Sequence, residues 1–177
     1  GHTLSHARRL IQLALAELAP AAQAVGVSLV IKATQAEASF LTSLSDALSI
    51  LEVSGCPNVG LAIDLWSYSE ELISSQRNSS LLERIKIVSV ADRVKSVSSS
   101  SERLPPGFGD LPLMELLRHV VDSGYCGEVE FDPVGQTVSS MGYEELLASL
   151  REYVDNVQNC MNVTKVSPQP SPHPQIM

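Results

Sequence analysis

The sequence predicts an α/β domain in which four parallel strands alternate with helices, and three observations carry that prediction. Segments with apolar residues at helical spacing alternate with short apolar runs of strand length along most of the chain. The runs are continuous in apolar character rather than alternating, the mark of a parallel sheet covered on both faces. Lys32, Asp64, the stretch Ser89 to Asp92, and Asp132 stand at the ends of the four runs, and in parallel α/β folds the C-terminal strand ends are where chemistry collects. An open doubly wound sheet and half of a (β/α)8 barrel both satisfy this pattern.

The elements follow in order. Residues 4–25 have helical spacing through Leu10, Leu13, Ala14, Leu18, Ala21 and Val25, with Gly26 where a C-terminal cap glycine would sit. Residues 27–31 read as a buried strand ending at Lys32, and 43–53 as a second helix with Ser45 as its N-cap. The stretch VGLAID, 59–64, is the next strand, and a helix starts in 70–75. Residues 84–90, RIKIVSV, form the third strand, followed by a serine-rich loop at 96–101 and a turn cluster at 105–110. A helix over 113–123 sets Leu113, Leu116, Leu117, Val120 and Val121 on one face, and Gly124 closes it. The fourth strand is 128–132 and the last helix runs from 142 to about 159. Pro168, Pro170, Pro172 and Pro174 then predict a disordered tail over 161–177, which leaves 1–160 as one domain with its own core.

Composition removes several classes of function. A formal charge of −8 opposes binding to nucleic acid or an anionic membrane, because phosphates would be repelled. No run of 18 apolar residues occurs, and the first residues do not read as a secretory signal, so the expectation is a cytoplasmic protein. Cys56, Cys126 and Cys160 are few, odd in number and far apart, which fits reduced thiols rather than a disulfide framework. No phosphate loop, dinucleotide fingerprint or nucleophile elbow is present; Gly107-Phe108-Gly109 follows two prolines and reads as a turn. None of His2, His6, His119 and His173 falls at a strand end, and His119 reads as a solvated helix position rather than a metal ligand.

Asp64 and Asp132 are the informative acids. A single acid ending a strand serves as a helix or loop cap, but two at equivalent ends of parallel strands can point into one mouth. Close carboxylates repel unless a proton, a metal or a cation lies between them.

Around these acids the sequence resembles the xylose isomerase-like TIM barrel family, which includes sugar-phosphate isomerases, ketose epimerases and endonucleases of the endonuclease IV type. The stretch LAPAAQAVGVSLVI (18–31) is similar to the family's helix and strand leading to a glutamate, and PNVGLAIDLWSY (57–68) to a strand ending in aspartate. RIKIVSVADRV (84–94) is similar to the next strand, and RLPPGFGDLPLMELLRHVVDSGYCGEVEFDP (103–133) to the family's arginine and glycine-rich block before its last strand. The resemblance implies the C-terminal half of a (β/α)8 barrel, its fifth to eighth strands. An unclosed half leaves two strand edges and one apolar face without partners. The expectation is a truncated sequence or an incomplete gene product; the alternatives are two copies that close a barrel, or a half that is not stably folded alone.

The resemblance also implies a divalent metal (Mn, Mg, Co or Zn) held by a glutamate, an aspartate, a histidine and a final glutamate. At those positions this chain has Lys32, Asp64, Ser89 and Asp132, and the substrate-side histidine position is Ser67. Asp64 and Asp132 are the residual ligand positions. Hard divalent ions need several oxygen or imidazole donors, and an ammonium ~4 Å away opposes one by about 4 kcal/mol per unit charge at an effective dielectric near 20. The expectation is a sugar isomerase or epimerase-like barrel whose metal site is degenerate, with no cofactor and Lys32 paired to Asp64 and Asp132 in the metal's place. Lys32, Asp64 and Asp132 are the candidate catalytic residues; Ser67 and Arg103 are candidates for contact with a small sugar-like ligand. For Arg103 the other reading is a loop arginine paired with Asp110. The alternatives for function are a non-catalytic binding or scaffold domain, and a metal-free enzyme forming a Schiff base through Lys32.

Overall fold

The computed structural model describes residues 3–35, 39–74, 79–94 and 102–164, apart from the side chains of residues 79 and 160–164. The serine-rich loop and the tail beyond 164 lie outside the described residues. The order is α1 (Leu4–Ala24), β1 (Leu29–Lys32), α2 (Leu44–Ser54), β2 (Val59–Asp64), α3 (Leu65–Ser74), α4 (Ser79–Glu83), β3 (Ile85–Val90), α5 (Leu113–Asp122), β4 (Glu128–Phe131), α6 (Gln136–Ser140) and α7 (Tyr143–Thr164). All strand pairs are parallel and the sheet runs β1-β2-β3-β4 in chain order. A doubly wound sheet reverses its strand order at a switch point; unbroken sequential order is that of a barrel arc. The structure therefore decides for the partial (β/α)8 barrel.

One apolar core holds the arc together. Ile31, Val59, Leu61, Ile63, Val88 and Val90 pack with Leu15 and Ala19 of α1, Leu44, Leu48 and Leu51 of α2, Leu72 of α3, and Leu116, Leu117 and Val120 of α5. Side chains alternate across a strand, so the opposite face carries Val30, Lys32, Ala62, Ser89 and Glu130. On that face Val30 is 39% exposed, and Lys32 and Glu130 are exposed. The continuous apolar runs predicted cover on both faces; on this second face Ala62 and Ser89 are buried, but Val30, Lys32 and Glu130 are not. In an arc of a barrel the second face is the interior, which closes only when further strands complete the circle.

Local chemistry sets the boundaries. The N-cap of α2 is Ser43, not Ser45: its hydroxyl accepts from the Asp46 amide at 3.0 Å, while Ser45 already lies within the helix. The α3 span opens with a turn at Leu65, where the Asp64 carboxylate accepts from the Trp66 amide at 3.1 Å; it is broken by non-helical backbone at Tyr68 (φ −119°, ψ 18°) and resumes beside the expected 70–75. Gly60 is required by close approach: a Cβ there would lie 2.2 Å from Lys86 Cγ and 2.8 Å from the Arg84 carbonyl oxygen. Those residues border the register shift between β2 and β3. No described helix is long and apolar enough to cross a membrane, and Cys56 and Cys126 are free thiols.

A candidate site at the strand ends

The parallel register brings the candidate residues to one rim. Lys32 pairs with Ala62, Asp64 with Ser89, and Ser89 with Glu130. The Asp132 amide continues the ladder by donating to the Val90 carbonyl at 3.2 Å. Lys32, Asp64, Ser89 and Asp132 therefore end successive strands of a single arc.

The last member arrives from a loop. Asp92 is buried just beyond β3, and its carboxylate accepts from the amides of Arg93 at 2.8 Å, Gly107 at 3.0 Å and Leu111 at 3.1 Å. Backbone bridges from Leu104 to Asp92 and from Arg103 to Val134 then pin the returning chain between the ends of β3 and β4. A side chain at Gly109 would run into Asp92 Oδ1 at 2.4 Å and the Arg93 carbonyl at 2.6 Å, so this turn packs only without one. The outcome is that Arg103 points into the mouth.

There its guanidinium grips both acids. Nη1 donates to Asp64 Oδ2 and Nη2 to Asp64 Oδ1, each at 2.9 Å, a bidentate fork on one carboxylate. Nη2 also donates to Asp132 Oδ1 at 2.6 Å, and Nε to the Asp132 carbonyl at 3.2 Å. Ser67 completes the set by donating to Asp64 Oδ2 at 3.1 Å. The Arg103 side chain is 16% exposed and that of Asp64 7%. Burial by itself pulls the guanidinium's pKa down, but the hydrogen bonds and charges of Asp64 and Asp132 outweigh it and the net direction is upward. Trp66 supports the clamp twice, lying under the guanidinium with its ring centroid 5.4 Å from Cζ, and donating from Nε1 to the Glu102 carbonyl at 2.9 Å.

Lys32 plays a different part from the one expected of it. Its ammonium stands 3.8 Å from Asp132 Oδ2 and donates to Ser89 Oγ at 3.1 Å, while Asp64 is taken up by Arg103. The cation bridging the two acids is the arginine rather than the lysine. Nor is Asp110 the partner of Arg103, whose donors go to Asp64 and Asp132. Ser89 in turn donates to Glu130 Oε2 at 3.0 Å, giving a chain Lys32–Ser89–Glu130 beside the clamp. Sequence reasoning passed over Glu130, and it placed Asp92 at the end of the third strand without giving it a role. The signal for Glu130 was the period-2 spacing of Glu128, Glu130 and Asp132, which puts all three on one face. Asp92 showed its place but not its role, because it accepts from amides up to 19 residues away. Among the described residues, no group of three or more His, Cys, Asp or Glu side chains is arranged to hold a metal ion.

Comparison with known proteins gives this geometry a family. The family model for the xylose isomerase-like TIM barrel matches residues 1–153. A search of curated protein sequences finds no match. Among solved structures, the IolI protein with a bound zinc atom is 17% identical with a TM-score of 0.76, covering 91% of this chain and 59% of its own. D-psicose 3-epimerase from Clostridium cellulolyticum, crystallised with D-tagatose, is 16% identical with a TM-score of 0.73, covering 91% and 58%. The 3-keto-D-glucoside 4-epimerase YcjR from E. coli is 17% identical with a TM-score of 0.68, covering 90% and 56%. Similarity at this level of identity is similarity of fold, and the chain spans less than two thirds of each of these proteins. With the parallel arc, the strand-end mouth and the family match over most of its length, the chain belongs to the xylose isomerase-like TIM barrel family.

Proposed function

We propose that this chain is the site-bearing part of a sugar isomerase or epimerase-like barrel in which metal-dependent chemistry has been given up, and that its mouth binds a small hydroxyl-rich molecule. The observation that carries the reading is the Arg103 clamp on Asp64 and Asp132. The donors present do not fit a divalent ion: both carboxylates already face a guanidinium, and the other two positions offer an ammonium and a hydroxyl. Arginine stays protonated, so the positive charge in the mouth is permanent and belongs to the protein. A Schiff base at Lys32 needs a neutral amine, whereas Asp132 and Ser89 are arranged around an ammonium.

The reading is tested by putting the donors back. Calorimetric titration of the unmodified chain with Mn or Zn should give no saturable heat. Lys32→Glu with Ser89→His should remain weak while Arg103 holds the acids, and adding Arg103→Ala should produce one-site binding. Saturable one-site binding to the unmodified chain, lost in Asp64→Asn, would overturn the proposal.

A further inference from the structure

We propose that the chain pairs with a second copy of itself, the outer face of α1 in one copy lying in an apolar groove between α5, β4 and α7 of the other. Helix α1 is apolar on two sides. Ile11, Leu15 and Ala19 turn inward to the core, whereas Leu10, Leu13 and Leu18 stay 49–57% exposed. A helix with apolar residues around its surface is built to be buried on both sides, and within the chain only one side is. The outer leucines stand at i, i+3 and i+8, with Ala14 and Ala21 continuing the stripe. That is the spacing with which a helix anchors in an apolar groove.

The groove lies at the other end of the arc. It has a volume of about 280 Å³ and is lined by Leu117 and Val121 of α5, Val129 and Phe131 of β4, and Val154 and Val157 of α7. Val129, on the open edge strand, is 42% exposed. Charge favours the same pairing. Helix α7 carries Glu144, Glu145, Glu152 and Asp155 against Arg151, whereas α1 carries Arg8 and Arg9 against Glu17. Arg8 is held by Asp46, and Arg9 is exposed. An acidic helix beside the groove attracts a basic helix and turns away an acidic one. Because the sheet runs β1-β2-β3-β4, stripe and groove sit at opposite ends of one arc. A two-fold axis facing the open side therefore brings each stripe to the other copy's groove, and two copies satisfy both surfaces. The same pairing turns the two uncovered sheet faces, each with its half-exposed Val30, toward one another.

Sedimentation equilibrium of the full chain tests this by reading mass against concentration. The expected result is a two-chain mass whose dissociation constant rises with salt. Leu13→Glu with Leu18→Glu on the stripe, and Val129→Lys in the groove, should each weaken pairing at least about tenfold. All three residues are exposed, and circular dichroism with the urea midpoint confirms that the variants fold. If Val129→Lys does not fold, Gln158→Lys at the groove rim replaces it. Mixing the stripe variant with the groove variant restores one of the two contacts and should associate more tightly than either alone. A one-chain mass at every concentration would overturn the proposal. So would a two-chain mass indifferent to the groove variant, masses growing past two chains, or a different protein found in the complex by mass spectrometry.

Discussion

Replacing Arg103 with methionine keeps most of the side-chain volume and removes the charge that separates two acids. Asp64 and Asp132 hydrogen-bond to the same nitrogen, Nη2, so their oxygens lie within roughly 6 Å of one another. Two unit charges ~5 Å apart at an effective dielectric of ~20 repel by about 3 kcal/mol. The same magnitude follows from a second direction: removing one partner of a buried ion pair costs about 3–5 kcal/mol, and Asp64, at 7% side-chain exposure, is the buried partner here. Arg103→Met should therefore lower the unfolding free energy at pH 7 by about 3–5 kcal/mol in urea titrations followed by circular dichroism. Asp64→Asn placed on top of Arg103→Met should cost much less than it does alone, with a coupling energy above about 2 kcal/mol. A cost below about 1 kcal/mol, the size of an exposed ion pair, or strict additivity of the two substitutions, would refute the clamp.

Three further outcomes follow. Gly60→Ala forces a methyl to within 2.8 Å of the Arg84 carbonyl and should destabilise the chain by about 1–3 kcal/mol in the same assay. Asp92→Asn exchanges one acceptor oxygen for an amide and leaves at least one buried N–H unpaired, for a loss of about 1–3 kcal/mol and looser anchoring of the Arg103 loop, read as faster amide exchange at Gly107 and Leu111. The Tyr68 hydroxyl, buried, close to Glu71 and Asp64 and donating to the Thr42 carbonyl at 3.2 Å, is pushed up to about 12. A folded value above the ordinary value near 10 leaves stability intact below pH ~10 and erodes it as pH rises toward ~12, by about 2–3 kcal/mol. Tyr68→Phe should flatten part of that alkaline limb in stability-against-pH measurements, and an unchanged limb would count against the burial of this hydroxyl.

The fold was legible where a signal is local. β2 falls on VGLAID at 59–64 because an uninterrupted apolar run ending in an acid has one comfortable structure, and α5 begins at Leu113 because its apolar face repeats with helical period. Boundaries governed by a single hydrogen bond were less legible: Ser43 and Ser45 are equally good caps on paper, and which one meets the Asp46 amide depends on where the chain enters. The short helices α4 and α6 are too brief to show a period. In the site, the strand-end positions could be read because parallel register lines them up. The clamp could not, because Arg103 lies 39 residues beyond Asp64 and reaches it only after Asp92 has folded the intervening turn. Lys32 was the nearer cation in the strand pattern, yet a linear ammonium cannot make the three forked contacts that a guanidinium makes with two acids.

The measurement bearing most directly on the account is the metal content of the chain after purification in buffer supplemented with Mn and Zn and removal of loosely held ions. With Arg103 seated on Asp64 and Asp132, the account predicts far less than one Mn or Zn per chain, and no change in Asp64→Asn. About one tightly held metal per chain, lost in Asp64→Asn, would contradict it.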